Sequence, residues 1–482
     1  MKNLKETRIY KRIRDFLHLF GVNKAVFFGV LSKLWFGIAG IVTISLIVAY
    51  YSPELQGYYF TFYSLLGLQM LVELGLTTVI ISFASHEWSR LDFDQNGKIV
   101  GDADSLSRLR SLAKIVFKWY IIGSLILLFS MSIVGYVFFS YSGSTAINWV
   151  APWIILCILV SVQLGSTPAF ALLEGCNQVP QVYFFRLIND GLRPLATWLI
   201  IIFGGGLWAP AGAVLITLVW VAVFLLKNYR NYLKSLLFYP ASGLRFSWRK
   251  DILPMQWKMA VSFLSGYILF YLFVPVLFHL KGAVVAGQMG MTWKVSSAIL
   301  VTASMWIFTR APQFGMLIAQ KKYQELDKLV LRTAVMATGV ALFGAVTVFG
   351  VILFLNAYGF TVASRFLPPL PTAIFIFTAV LMQVSYAQST YLWAHKKQPL
   401  MGLSVVSSII MIFLLWFAGG RWGALGIAIS YFSIIAFFSL PVGTIIWLRC
   451  RKSWHYDDEI ASESYTEKRA LYEEENTLHY ND

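Results

Sequence analysis

The sequence predicts an all-α polytopic membrane protein of about twelve transmembrane helices in two parallel six-helix repeats. Three observations carry that expectation. Of the 482 residues, 58% are hydrophobic and 13% charged, with a mean hydropathy of +0.67, which excludes a soluble globular enzyme. The apolar stretches recur at lengths of ~20 residues, enough for a helix to cross ~30 Å of hydrocarbon, and they lack the period-2 alternation of a barrel. The chain also echoes itself. Phe203–Ala213 reads FGGGLWAPAGA and Phe417–Ile427, 214 residues later, reads FAGGRWGALGI, sharing Phe, two Gly, Trp and a further Gly. A second echo joins Gln163–Pro180 to Gln383–Pro399. Each echo lies between long apolar stretches, so the repeated unit is a block of spans, the construction that places transporter sites near the bilayer midplane.

A basic N-terminus, residues 1–25, precedes a first bundle at 26–228, with spans near 26–48, 59–84, 113–139, 149–172, 183–204 and 211–228. A basic linker, 229–256, leads to a second bundle at 257–448, with spans near 257–279, 284–309, 333–355, 370–393, 399–417 and 424–448. The tail, 449–482, is largely acidic from Asp457 onward and too polar to span.

Charge sets the orientation. Basic residues crowd the N-terminus, the second loop, the linker and the later alternate loops, while the intervening loops hold only Lys281, Arg365 and Arg421. The positive-inside rule then places both termini in the cytoplasm and 141–148 and 356–365 outside. The net charge of +16 is mostly this bias, spread over many loops, and not a nucleic-acid footprint. Trp149, Trp153, Trp208, Trp257, Trp422 and Trp447 read as interfacial belts. The N-terminus shows no cleaved signal peptide.

Catalytic signatures are missing. The sequence has no phosphate-cradling G-x-x-x-x-G-K-[ST], no H-E-x-x-H and no G-x-S-x-G. Cys157, Cys176 and Cys450 suggest neither a disulfide framework nor a zinc site. The expectation is a protein that is not an enzyme and holds no cofactor or metal.

Charges inside spans are costly and normally face a cavity or a partner. Lys33 and Glu73 lie at similar depths in the first two spans, so an ion pair between them is geometrically open. Gln69, Glu73 and Thr77 at i, i+4, i+8 would form one polar stripe on a continuous helix. Arg186, Asp190 and Arg193 share a face of the fifth span, where Arg186 can snorkel and Arg193 sits beside Pro194, which frees a carbonyl. Lys294 lies near the midplane with no acidic residue within a turn of its helix. Two readings stay open for Lys33, Glu73, Asp190 and Arg193: internally neutralised pairs that fix packing, or a transport site. Glu73 and Asp190 are the carboxylates suited to an H⁺ or Na⁺ coupling ion. Tyr58, Tyr59, Tyr63, Tyr267, Tyr271, Tyr386 and Tyr391 either stack on sugars or line helix packing, and packing is favoured for most.

Ser52–Leu76 (SPELQGYYFTFYSLLGLQMLVELGL) and the exit Leu172–Leu187 (LLEGCNQVPQVYFFRL) resemble the polysaccharide or O-antigen-type flippases of the multidrug/oligosaccharidyl-lipid/polysaccharide (MOP) exporter superfamily, over about residues 20–450. The resemblance implies a V-shaped pair of six-helix bundles with a cationic central cavity. It implies a cargo, an undecaprenyl-diphosphate-linked oligosaccharide used in lipopolysaccharide or related polysaccharide biosynthesis, moved to the outer leaflet of a bacterial inner membrane. Membrane lipids and polysaccharide-assembly proteins are the implied partners, with no nucleic acid. Lys33, Arg193 and Lys294 fit such a cavity in kind. The alternatives are an ion-coupled multidrug exporter of the same superfamily and a membrane glycosyltransferase or polymerase. The latter would need an acid or base and usually a large outer loop, and the outer loops here are short.

Overall fold

The computed structural model describes residues 24–94, 97–143, 146–239, 246–248, 253–395 and 397–455; within these, several side chains in 24–36, Lys33 among them, and in 254–259 lie outside the described set. The described residues are all-α apart from one short hairpin. Helix α1 (Lys24–Tyr50) leads into α2 (Pro53–Leu66), which starts where Ser52 Oγ accepts from Leu55 N and Pro53 occupies the first turn, the standard chemistry of a helix start. The second span then breaks. A 3₁₀ turn at Gly67–Gln69 and one helical turn, α3 (Met70–Glu73), end at Leu74 and Gly75, whose φ values of 44° and 70° are left-handed. Helix α4 (Leu76–Trp88) resumes at a 40° bend.

Strands β1 (Leu91–Phe93) and β2 (Ile99–Gly101) pair antiparallel, Leu91 opposite Gly101. Asp102 caps α5 (Ala103–Ser142) by accepting from Ser105 N. At 40 residues and 1.5 Å per residue, α5 is about 60 Å long, twice the hydrocarbon thickness. It projects past the membrane and carries α9 (Arg230–Leu237), reached after α6 (Val150–Gly175), α7 (Val179–Ile202) and α8 (Trp208–Asn228). Arg110 Nε donates to Ser235 O at 2.9 Å, so the start of the expected linker is an ordered helix seated on α5. Glu87, 4% exposed, pairs with Arg108 at 3.1 Å in the same region.

The later elements are α10 (Leu253–Tyr271), α11 (Phe273–Lys281), α12 (Ala283–Phe308), α13 (Ala311–Ala319), α14 (Tyr323–Ala357), α15 (Pro369–Ala394) and α16 (Met401–Ser433). A π-helical segment, Ile434–Ser439, continues α16, and helix runs on to His455. The tail expected from residue 449 therefore begins as helix, and 456–482 lies outside the described residues. Among the described residues seven helices are long and apolar enough to cross a membrane, or nine with the two bent pairs. Helices α1 and α7, of 27 and 24 residues, have the length of a span but fall outside that set, α7 because it carries three charges. The long run Met401–His455 contains Gly423 with φ 59° and ψ −136°, where two helices meet. Together these give the expected fold of about twelve spans.

By contacts the chain forms two compact units. The first is Met1–Lys294 with Gly359–Leu367 and Leu415–Ala424, and the second is the remainder. In the first unit, close helix approach rests on small residues. A Cβ on Gly57 would overlap Ala283 O, and one on Gly287 would stand 2.9 Å from Gly57 N. Gly135 similarly admits the Trp153 ring, into which a Cβ would run. Trp153 is 0% exposed and donates to Met131 O. It belongs to the core and not to the interfacial belt its sequence position suggested. In the second unit, Phe314, Leu326, Val330, Tyr391 and Leu392 form a buried cluster, with Arg451 joined to Asp327 at 2.5 Å.

The echoed glycines behave differently in the two copies. The first turns at Gly204 and Gly206, both left-handed, whereas the second turns at Gly423, whose counterpart is Ala209 on α8. The expected outer position of 141–148 has a direct check. Ser144 is outside the described residues, but Asn148 is exposed just before α6. An Asn148→Cys chain carrying Cys450→Ser is expected to react with an impermeant maleimide in intact cells. Reaction only after permeabilisation would invert the topology.

Candidate functional site

The fifth span, α7, is amphipathic, and its polar face departs from the sequence reading in an instructive way. Arg186, Asp190 and Arg193 do project from one helix, yet each serves a different neighbour. Arg186 Nη2 donates to Glu174 Oε2 at 2.6 Å, a partner at the end of α6 that sequence reasoning did not use. Asp190 accepts from Ser32 Oγ on α1. Pro194 has no N–H, so the carbonyl four residues earlier loses its helical donor. That carbonyl belongs to Asp190, and Trp35 Nε1 supplies the missing hydrogen bond at 3.0 Å. The freed group thus pins α1 to α7 instead of opening a pocket. Trp198 Nε1 donates to Thr43 Oγ1 at 2.8 Å and its ring lies 6.0 Å from that of Trp35, extending the same seam.

Arg193 lies one turn further along α7. Its Nε is buried without a hydrogen-bond partner, and no ion pair joins it to a carboxylate among the described residues. Its charge acts on two groups in the same compact unit: the Tyr59 hydroxyl on α2 and the Lys294 ammonium on α12. Tyr59 packs against Tyr63, their rings 4.9 Å apart, and Tyr51 packs edge-on against Tyr59 at 5.7 Å. Arg193 and Lys294 thus lie within each other's electrostatic reach, and a tyrosine row, Tyr63, Tyr59 and Tyr51, leads toward the Tyr50 end of α1. A buried donor without an acceptor costs ~1–3 kcal/mol, and an anion would give Arg193 Nε the acceptor it lacks.

Glu73 occupies a different neighbourhood. Gln69 Nε2 donates to its Oε1 at 3.0 Å, and Tyr120 on α5 lies within its field. The predicted stripe through Thr77 does not form, because the Leu74–Gly75 break rotates the next helix. Thr77 instead meets Tyr120 at 3.2 Å. The Lys33 side chain lies outside the described residues, and with it the expected Lys33–Glu73 pair. Of the other tyrosines, Tyr267 and Tyr271 stack at 5.6 Å with an interplanar angle of 6°. They close over Gly67, where a Cβ would meet Tyr271 at 2.6 Å. Tyr58 is fully buried between Phe139 and Phe278. These are packing residues. Tyr386 lies against Phe308 and Tyr391 bonds His455 at 2.8 Å, both in the second unit. Among the described residues no cluster of His, Cys, Asp or Glu is arranged to hold a metal ion.

No family model and no curated protein matches the chain. Solved structures do. The inward-facing conformation of a multidrug resistance MATE family transporter of the MOP superfamily aligns at 15% identity with a TM-score of 0.62, over 86% of this chain and 96% of that one. The MATE multidrug transporter DinF-BH, solved with a bound compound, aligns at 12% identity with a TM-score of 0.53, over 90% and 95%. At these identities the likeness establishes architecture: the chain has the fold of the MATE transporters of the MOP superfamily.

Proposed function

We propose that this protein is a transporter moving an undecaprenyl-diphosphate-linked oligosaccharide across the bacterial inner membrane by alternating access. The observation that carries this reading is that Arg193 has a buried Nε without a hydrogen-bond partner and no carboxylate joined to it among the described residues, with Lys294, on another span, in its field. Two cations suit a diphosphate, which cannot enter hydrocarbon unaided and gains charge-assisted hydrogen bonds from a guanidinium and an ammonium. Tyr59 and Tyr63 beside them offer hydroxyls and ring faces to the first sugar. Asp190 and Glu73, each already hydrogen-bonded and off this centre, are the candidates for H⁺ or Na⁺ coupling, with Lys33 a further cavity cation.

A second reading, export of cationic drugs, is favoured by one observation: a chain of the same fold is a multidrug transporter solved with a compound bound. Proteoliposomes decide between the two. Labelled lipid-linked oligosaccharide is expected to appear in the opposite leaflet with its covalent structure unchanged, while a cationic dye is not extruded. Dye export without lipid-linked sugar movement would replace the first reading by the second. A changed sugar-lipid product would point to an enzyme.

A further inference from the structure

The segment 359–367 connects α14 to α15, yet it belongs to the first compact unit while both flanking helices belong to the second. It is strapped down by five hydrogen bonds. Arg365 Nη2 donates to Tyr51 O at 2.6 Å, with Val48 O at 3.5 Å, so the guanidinium covers the C-terminal carbonyls of α1, where a cation is favoured. Gln56 Nε2 donates to Gly287 O at 2.8 Å and to Arg365 O at 3.2 Å. Gln288 Nε2 donates to Ser364 O at 2.9 Å, and Leu367 N donates to Thr292 Oγ1 at 3.1 Å.

The strap is incompletely satisfied. Arg365 Nη1 and Gln56 Oε1 are both buried without a partner, although Gln56 is only 1% exposed, and no carboxylate pairs with Arg365 among the described residues. Native proteins rarely leave buried polar atoms in this condition. Arg365 therefore holds the strap through neutral carbonyls while its charge stays uncompensated. An anionic oxygen makes shorter bonds with a guanidinium, roughly twice as strong as those of a neutral acceptor, and can engage two of its N–H groups at once. The contacts also reach back to the cation pair. Tyr51, whose carbonyl Arg365 holds and whose hydroxyl donates to Gly206 O at 2.6 Å, packs on Tyr59, which lies in the field of Arg193.

We propose that Arg365 is a second diphosphate site, at the Tyr50 end of α1, and that a diphosphate taking its guanidinium from Tyr51 O releases the 359–367 strap. The proposal rests on the transport reading above and adds to it a station for the same head group and a reason for that end to open only when cargo arrives. A ligand shifts such an equilibrium by its difference in affinity for the two states, and here only the released guanidinium offers its full fork.

The test uses the full chain with Cys450→Ser and a reporter, Thr292→Cys, which the seated strap covers; Thr292 is 1% exposed. Inorganic pyrophosphate, or undecaprenyl diphosphate carried in the bilayer, is expected to speed maleimide labelling of that cysteine about fivefold or more. Arg365→Lys should keep part of the response. Arg365→Gln should label fast without ligand and respond to neither. A response that persists in Arg365→Gln overturns the proposal. So does calorimetric binding of pyrophosphate that Lys294→Glu abolishes while labelling never changes, and in that case the transport reading stands. Absence of binding to any of these chains removes both. A response to pyrophosphate but not to the lipid would assign the site to a soluble anion and overturn its assignment to the cargo.

Discussion

Proteoliposomes bearing Lys294→Glu are expected to expose lipid-linked oligosaccharide at least about a hundredfold more slowly than the unaltered chain, at equal protein content. The substitution does more than remove a cation. It sets a carboxylate where a diphosphate must approach, and one unit of reversed interaction in a half-buried site is worth several kcal/mol, each ~1.4 kcal/mol being tenfold in rate. Lys294→Ala should fall between, and Lys294→Arg should keep part of the activity because charge is retained with altered reach. Arg193→Ala should resemble Lys294→Ala in transport. The pair also predicts coupling: once Arg193 is neutralised, the further loss from Lys294→Ala should be smaller than the loss measured alone. Unimpaired exposure by a correctly folded Lys294→Glu chain would end the phosphate role.

Gly57→Ala is expected to cause the largest structural damage of any single methyl addition in the first unit. The new carbon would overlap Ala283 O and lie 2.6 Å from its carbonyl carbon. Both are backbone atoms, so no rotamer relieves the overlap and α2 must move away from α12. Overpacking on this scale costs about 3 kcal/mol, outweighing the ~1 kcal/mol that alanine gains over glycine in a helix interior. Gly40→Ala on α1 is the control, because nothing lies within 4 Å of the position its methyl would take; it should match or exceed the parent. Thermal unfolding in detergent, followed by size-exclusion chromatography, compares them. A Gly57→Ala chain as stable as the Gly40→Ala chain would refute the close crossing.

The fold was legible because hydrocarbon leaves the backbone few options: composition and apolar length alone imply about twelve helices. The interruptions were not. Nothing in the run from Gln69 to Thr77 except Gly75 announces a break, and a continuous helix was the reasonable expectation for Glu73 and Thr77. Trp153 looked like a belt residue because a tryptophan near the end of a span usually is one; only Gly135, on another helix, makes room for it. At the site, cost flagged Arg193 and Lys294 separately, since each is an expensive charge in a span. That the field of Arg193 reaches Lys294, a hundred residues further along the chain, is something no local pattern encodes. Tyr59 and Tyr63 were visible but indistinguishable from Tyr58 and Tyr267, as ring periodicity does not reveal which face meets a charge.

The break in the second span has a thermodynamic corollary. Gly75 adopts its left-handed backbone at little cost, but Leu74, at φ 44°, carries a penalty of about 1 kcal/mol or somewhat more. That penalty exists only in the bent form, because a straight helix would place Leu74 in the ordinary right-handed region. A penalty of that size is worth about fivefold against the bend relative to a straight helix, and Leu74→Gly would remove it. The leucine is thus a fixed cost at the joint between α3 and α4, one that a straight helix would not carry.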